Sequence, residues 1–157
     1  MPSRRDQISM TEKELHDFLN AKRTLIIVSN GSDGYPHTMP MFYAVDDQRR
    51  LLVSTFGKSQ KVKNYERDPR ASLLIEAGED YEHLKSVVMK ADAEIVTDYD
   101  MVLKGMIDIS LGRLEGAAPD MDTIRERVEH TAKKRVLLRF TPTETISWDH
   151  EKLGGIY

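Results

Sequence analysis

The sequence predicts a mainly β fold with peripheral helices, in which about six or seven antiparallel strands form a small barrel. Two observations carry this prediction. Apolar runs of strand length recur along the chain, and turn-forming clusters join several of them as hairpins. A barrel suits such strands because closure removes exposed sheet edges. The chain has 157 residues, which predicts a single domain over 1–157 with its core at 10–150.

The first half of the chain begins with a helix and continues with strands. Residues 11–14 fit a capping box, and the apolar residues that follow them share one face of a short helix. Three antiparallel strands are then expected in succession, at 25–29, 35–45 and 51–55, joined by turns at 30–34 and 46–49.

In the second half of the chain, a helix is predicted after residue 59, and Asp68 and Pro69 are expected to end it. Two further strands are expected at 71–76 and 85–96, the second with alternating apolar residues that indicate one solvated face. The remaining predicted elements are helices at 99–111 and 121–131, an insertion at 112–120 that contains Gly116 and Pro119, strands at 135–140 and 143–148, and a tail at 151–157.

Residues 52–64, which we call the anion cradle, are the most informative stretch. A strand runs through Gly57 into a helix rich in cations and hydroxyls. With Ser59 as N-cap and Lys61 in the first turn, the free N–H groups, the helix dipole and the ammonium group would hold a phosphate together. The residues expected to converge on the anion are Ser54, Thr55, Lys58, Ser59, Lys61 and Asn64. Of these, Lys58, Lys61 and Asn64 are spaced three apart and are expected to share one helix face.

Other interpretations are weaker. The lysines could form an ordinary solvated helix face, but the nearby hydroxyls favour an anion site. The five histidines show no paired spacing, so no metal site is predicted. The absence of cysteine excludes disulfides and thiolate chemistry, and the net charge of −3 argues against nucleic-acid binding through bulk positive charge. Without an apolar leader or spanning run, a cytoplasmic protein that does not bind membranes is expected.

The order of several short motifs carries a family resemblance. The chain has a Gly-x-Pro hairpin at 34–36, a Thr-x-x-x-Ser-x-Lys corner at 55–61 and an Asp-Pro-x-Ala strand start at 68–71. This order resembles the pyridoxamine-phosphate-oxidase-like superfamily of flavin-binding split β-barrels. The end of the chain, 147–157, is similar to the branch that uses the deazaflavin coenzyme F-420. The resemblance covers roughly residues 10–157 and implies a split barrel.

The resemblance also implies where the cofactor ring lies. In the superfamily, the strand that here carries Met39, Pro40 and Met41 runs along the tricyclic ring, so their backbone N–H and C=O groups are expected to contact the ring's polar edge. Trp148 is expected to wall the same pocket. A homodimer with the cofactor at its interface is expected, both from the family and because strands such as 73–75 and 87–89 are apolar on both faces.

Departures from the family pattern refine the expected activity. True pyridoxamine phosphate oxidases have Arg and Lys where this chain has Met39 and Ala44, and Arg where it has Gln60. Their Arg-Leu-His-type C-terminal motif is replaced here by residues 152–155. These differences argue against vitamin B6 oxidation. They leave F-420 as the expected cofactor and FMN as the alternative.

The implied function is an oxidoreductase in which reduced F-420 delivers a hydride to an unsaturated small organic substrate. No nucleophile and base show a diagnostic spacing, so no catalytic residue is assigned. The proton donor stays open among His37, Tyr43, Tyr65 and solvent. A carrier or sensor that binds the cofactor without turnover, and a phosphate-binding module unrelated to redox chemistry, are the alternatives of a different class.

Overall fold

Seven antiparallel strands form one curled sheet in the computed structural model, which describes residues 3–114 and 120–155. Their order across the sheet is β2-β1-β5-β6-β7-β4-β3. The strands are β1 (Thr24–Asn30), β2 (Pro36–Phe42), β3 (Ala44–Val45), β4 (Leu51–Phe56), β5 (Arg70–Ala77), β6 (Lys85–Val96) and β7 (Arg135–Asp149). This half-barrel confirms the predicted fold class and is consistent with a split β-barrel.

Five α-helices lie around the sheet, namely α1 (Arg4–Ile8), α2 (Glu12–Ala21), α3 (Gln60–Arg67), α4 (Tyr99–Gly112) and α5 (Met121–Ala132). Short 3-10 turns occur at Tyr81–His83 and His150–Leu153. The capping box predicted for α2 is present, because the Thr11 side chain accepts from the Glu14 N–H and the Glu14 carboxylate accepts from the Thr11 N–H. A second capping box, between Ser3 and Asp6, begins α1, which the sequence analysis did not predict.

Two strand predictions need correction. The stretch 35–45 is divided at Tyr43, so that β2 pairs with β1 whereas β3 pairs with β4. Tyr43 is buried at this break and donates a hydrogen bond of 2.5 Å to the Leu19 carbonyl of α2. The two strands expected at 135–140 and 143–148 are one strand, β7, whose pairing with β6 shifts register at a bulge between Lys90 and Ala91. The expected insertion begins after α4, and Gly116 and Pro119 lie outside the described residues.

The core has two parts, because the sheet is apolar on both faces. Alternate residues of β1, β4, β5, β6 and β7 fill the concave interior, where Val53, Val87, Leu138 and Phe140 are fully buried. On the convex side, α4 and α5 cover the half of the sheet that contains Leu52 and Leu137. The other half of the convex side carries Ile26, Leu74, Val88 and Ile146 in one row, in register across four strands and each half-buried.

Gly105 sets how closely α4 packs on the sheet. A methyl group at this position would lie 2.6 Å from Leu137 Cδ1, and Leu137 is itself buried. We expect Gly105→Ala to lower the free energy of unfolding by about 1–3 kcal/mol, because the core on that side has no room for the added carbon. Urea unfolding would measure the change.

Gly112→Ala is the matched control for Gly105→Ala, since it is in the same helix and its added methyl group meets nothing within 4 Å. We expect that variant to leave stability unchanged or slightly raised. Equal effects of the two substitutions would contradict the close α4–sheet contact.

Candidate functional site

The segment that joins β4 to α3, which we call the anion corner, leaves the first N–H groups of α3 without a side-chain cap. Ser59 is the N-cap of α3 with extended backbone, as predicted, but its side chain makes no capping hydrogen bond. Its hydroxyl instead lies 3.4 Å from the Thr55 hydroxyl at the end of β4. The first N–H groups of a helix have no intrahelical acceptor. Since Ser59 does not cap them, they are available to an anion at this corner.

Lys61 points from the first turn of α3 into this corner. Its side chain is buried, with 8% of the residue exposed, and its Nζ donates a hydrogen bond of 3.2 Å to Thr55 Oγ1. Burial, with a smaller contribution from the positive charge of Arg135, lowers the pKa of Lys61 below the ordinary lysine value. In the part of the chain that the structure describes, no carboxylate forms an ion pair with Lys61. The ammonium group is therefore held in a partly dehydrated place without a counter-charge.

Arg135 is a second cation near this corner, close enough for its charge to affect Lys61, and the sequence analysis missed it. It is the first residue of β7 and pairs with Phe56, the last residue of β4. Its guanidinium carbon lies 4.3 Å from the Phe56 ring centroid, and its Nε is buried without a hydrogen-bond partner. A buried donor without a partner is costly. Because paired residues of an antiparallel ladder share a face, the Arg135 side chain starts on the Phe56 side of the sheet, opposite Thr55, and what links it to Lys61 is the effect of its charge on the Lys61 pKa.

Two residues of the predicted cradle lie apart from this group. Ser54 is adjacent to Thr55 on β4, so its side chain points to the opposite face, the side on which Leu52 packs against the helices. Its buried hydroxyl has no hydrogen-bond partner there. Lys58 is exposed in the turn before α3 rather than in the helix, so it does not share a helix face with Lys61 and Asn64, contrary to expectation.

Asn64 is fully buried, and its hydrogen bonds are made within the protein. Its Nδ2 donates 2.9 Å to Ser29 Oγ on β1, and its Oδ1 accepts 2.9 Å from Gln60 Nε2. The bond to Ser29 joins α3 to β1, and the bond from Gln60 lies within α3. The structure thus gives Asn64 a part in positioning the cradle helix.

We expect Asn64→Ala to lower the free energy of unfolding by about 2–3 kcal/mol, because Ser29 is buried and would lose its partner. Cofactor affinity of the folded variant should stay close to that of the wild type. Chemical denaturation and a binding titration would measure the two quantities separately. Lys63→Ala, at an exposed position of the same helix, is the control. A large loss of affinity with unchanged stability would instead make Asn64 a direct ligand.

The edge strand β2 carries Met39, Pro40 and Met41. Two backbone hydrogen bonds at the ends of its ladder with β1 show which residue pairs are hydrogen-bonded. The Gly31 N–H donates to the Tyr35 C=O, and the Tyr43 N–H donates to the Arg23 C=O. Because pairs alternate along an antiparallel ladder, Met39 and Met41 use their backbone groups to bond β1. Their N–H and C=O groups are therefore not free for a ring, contrary to expectation.

The same alternation leaves other β2 groups directed away from β1. These are the backbone groups of Thr38 and Phe42 and the carbonyl of Pro40. The side chains of Met39 and Met41 pack against the interior core. Of the three predicted ring contacts, Pro40 is the one that keeps a free backbone group.

His37 connects β2 with the cradle helix. A cavity of about 290 Å³ lies between the β1–β2 hairpin and α3, and its lining includes His37, Tyr35 and Gln60. The Nδ1 atom of His37 is buried and has no hydrogen-bond partner among residues 3–114 and 120–155. Since Gln60 begins α3, this cavity lies beside the anion corner, and His37 is a polar group near it. The other two proton-donor candidates, Tyr43 and Tyr65, are buried and donate to backbone carbonyls.

Trp148 is far from the cradle within one chain. It pairs with Ser86 near the end of β7, whereas Arg135 begins that strand. Thirteen residues of strand separate them, and a strand rises roughly 3.3 Å per residue. Trp148 therefore lies toward the opposite end of β7 from the cradle. Among the described residues, no cluster of metal-ligating side chains occurs and no helix is long and apolar enough to span a membrane.

A curled antiparallel sheet with an anion corner between β4 and α3 defines a split-barrel protein. Residues 11–149 match the family model of pyridoxamine 5'-phosphate oxidase, so the chain belongs to that family. A comparison with curated proteins gives no significant match.

Solved structures with the same fold include three informative ones. The conserved hypothetical protein Rv2991 from Mycobacterium tuberculosis is 36% identical, with a TM-score of 0.88 over 99% of this chain and 95% of that one. An FAD-binding protein from Mesorhizobium loti is 20% identical, with a TM-score of 0.64 over 88% and 94%. A protein described as F-420 reductase is 20% identical, with a TM-score of 0.59 over 83% and 94%.

Proposed function

We propose that the protein is an oxidoreductase that uses reduced deazaflavin coenzyme F-420 to transfer a hydride to an unsaturated small organic substrate. The observation that carries this proposal is the anion corner, where the buried Lys61 lies at the uncapped start of α3 without a carboxylate partner among the described residues. A flavin-type cofactor places a ribityl phosphate where such a corner can hold it. The fold shared with an F-420 reductase and an FAD-binding protein supports a cofactor of this type.

The residues present fit the phosphate end of the cofactor. The first N–H groups of α3 supply donors that the Ser59 side chain does not cap, and Lys61 supplies a nearby charge. Charge-assisted bonds of this kind are about twice as strong as neutral ones. Binding an anion beside Lys61 would also offset the positive charge of Arg135, which disfavours the charged form of Lys61. These residues would therefore anchor the cofactor by its phosphate.

The chain's own part in the reaction is to bind and orient. When bound, the reduced deazaflavin supplies the hydride. The free backbone groups of Thr38, Pro40 and Phe42 on β2 would orient the ring, and the phosphate corner would fix its distance from the substrate. Such positioning can account for roughly 7–11 kcal/mol of the barrier. His37 is the side chain best placed to donate a hydrogen bond or a proton beside the cradle.

A homodimer would complete this site. The convex row of Ile26, Leu74, Val88 and Ile146 is a half-buried apolar face, and a second copy would cover it. The same face leads to Ser86 and Trp148 at the far end of β7. In the dimer, Trp148 of one protomer would wall the pocket of the other, a position that it does not reach within its own chain.

Titration of the purified protein with oxidised F-420 and, in parallel, with FMN tests the proposal. Absorbance and fluorescence report binding of both rings. Saturable binding of F-420 in preference to FMN is the expected result. Preference for FMN would indicate that the cofactor bound at this corner is a flavin rather than the deazaflavin. Binding of neither would contradict the redox function and leave a phosphate-binding module.

F-420 binding without turnover would indicate a carrier. Reduced F-420 is therefore also mixed with a panel of unsaturated acceptors, and its reoxidation is followed by the return of absorbance of the oxidised ring. Acceptor-dependent reoxidation that exceeds the rate without protein would establish the enzyme. Tight binding that leaves reoxidation unchanged across the panel would favour the carrier or sensor.

A further inference from the structure

A cavity of about 250 Å³ lies between α2 and the concave interior of the sheet. Its lining includes Leu15 of α2, Met89 of β6 and Thr145 of β7. Met89 and Thr145 pair with each other, and Met89 belongs to the interior core. Phe18 and Leu19 of α2 are buried in that core, whereas Leu15, one turn earlier, is half-buried. The helix therefore leaves space above the core at this end of the half-barrel.

Arg49 lines this cavity from the turn between β3 and β4, in an unfavourable backbone conformation. Its φ of 61° lies in the left-handed region. The Arg49 N–H donates to the Asp46 C=O, and the Asp46 N–H donates to the Arg50 C=O, so the turn is a tight hairpin. Glycine or asparagine is the usual residue at a left-handed position of such a turn. An arginine there, in spite of the conformational cost, points to a role for its side chain.

The guanidinium of Arg49 is held loosely by the protein. Its Nη1 lies 3.8 Å from Glu12 Oε2 at the start of α2, and the two side chains are 66% and 89% exposed. An ion pair this long and this exposed contributes little to stability. Arg50 is different, because its Nε donates 2.7 Å to Asp46 and its side chain is 22% exposed. A ligand carboxylate at the cavity would therefore engage Arg49 at little cost to the fold.

We propose that this cavity binds a small monocarboxylate with an apolar body. The body would lie against Leu15, Val45 and Met89, and Arg49 would hold the carboxylate. An apolar cavity of roughly 150 Å³ is large enough for benzene, so this one has room for a bicyclic ring or a short acyl chain. The site is separate from the anion corner, because the two lie at opposite ends of β4, which spans roughly 17 Å. Binding here does not depend on the cofactor.

The probes are 2-naphthoate and the neutral 2-naphthamide, which share one apolar body and differ in charge. Affinities are measured by fluorescence titration of the purified wild type, Arg49→Gly, Glu12→Gln and the control Lys13→Ala. Lys13 is an exposed cation of α2 that pairs with Asp17 at 2.6 Å. NMR spectra of the methionine methyl groups locate the bound probe through Met89.

The expected result is that 2-naphthoate binds the wild type roughly tenfold more tightly than 2-naphthamide. That preference should disappear in Arg49→Gly, increase in Glu12→Gln and persist in Lys13→Ala. The Met89 methyl signal should shift as the probe saturates the protein. Arg49→Gly should keep or raise the melting temperature, because glycine adopts the left-handed φ without strain. Loss of the site is thereby separated from loss of the fold.

Four outcomes would overturn the proposal. These are no saturable binding at millimolar probe, equal affinity of the wild type for the two probes, a preference for 2-naphthoate that survives Arg49→Gly, and binding that leaves the Met89 signal unchanged. If Arg49→Gly is less stable than the wild type, Glu12→Gln decides. A preference that falls in that variant, in which Arg49 has lost its competing carboxylate, would also contradict the assignment.

Discussion

Lys61→Ala is expected to weaken cofactor binding by about 1.5–3 kcal/mol, which corresponds to roughly a 10- to 150-fold higher Kd. The reason is that Lys61 is a buried cation that donates to Thr55 Oγ1 and pairs with no carboxylate among the described residues, so its charge is available to a phosphate. Titration with oxidised F-420 measures the change. Thermal unfolding of cofactor-free Lys61→Ala shows whether the fold is retained. Lys61→Met, which keeps the aliphatic part of the side chain, is measured in the same way.

The cofactor-free stability of these variants separates a binding role from a structural one. Burial and Arg135 both disfavour the charged form of Lys61 and lower its pKa. Because the folded state disfavours the charged form of Lys61, we expect Lys61→Met to change the free energy of unfolding of the cofactor-free protein little. Lys63→Ala, an exposed loss of the same charge, is the affinity control. Equal Kd values for Lys61→Ala and Lys63→Ala would place the phosphate elsewhere.

The fold was predictable because its signals are local. Alternating apolar residues, the turns around Gly34 and Asp46, and the capping box at Thr11 each act within a few residues. The predicted N-cap at Ser59 also depends on neighbouring residues and is present. The division of the second strand at Tyr43 was not visible locally, since it depends on a hydrogen bond to Leu19 in another element.

The site was predictable only in part, because several of its contacts join distant segments. Arg135 comes near the corner through the pairing of β7 with β4, and no local pattern specifies that register. The role of Asn64 depends on Ser29 in another strand. Ser54 is different. Two adjacent strand residues point to opposite faces, so the sequence already contained the reason that Ser54 and Thr55 cannot both face the anion.

Leu74→Asp/Val88→Asp is expected to raise the dimer dissociation constant by about a thousandfold or more, since each aspartate would place an unpaired carboxylate in an apolar interface. Both residues lie in the convex row, in register with each other. Their inward neighbours Leu73 and Val87, which hold the core, are unchanged. Sedimentation should show a mass near 18.0 kDa for the variant and about twice that for the wild type.

The same variant links assembly to the cofactor site. If Trp148 reaches the pocket only from a second copy, loss of the dimer should weaken F-420 binding even though Lys61 and Arg135 are intact. Leu114→Asp is the control, because Leu114 is 46% exposed and lies after α4, away from the convex row. It should retain both the dimer mass and the affinity. A monomeric variant that binds F-420 as tightly as the wild type would show that each chain forms a complete site, which would exclude a shared pocket.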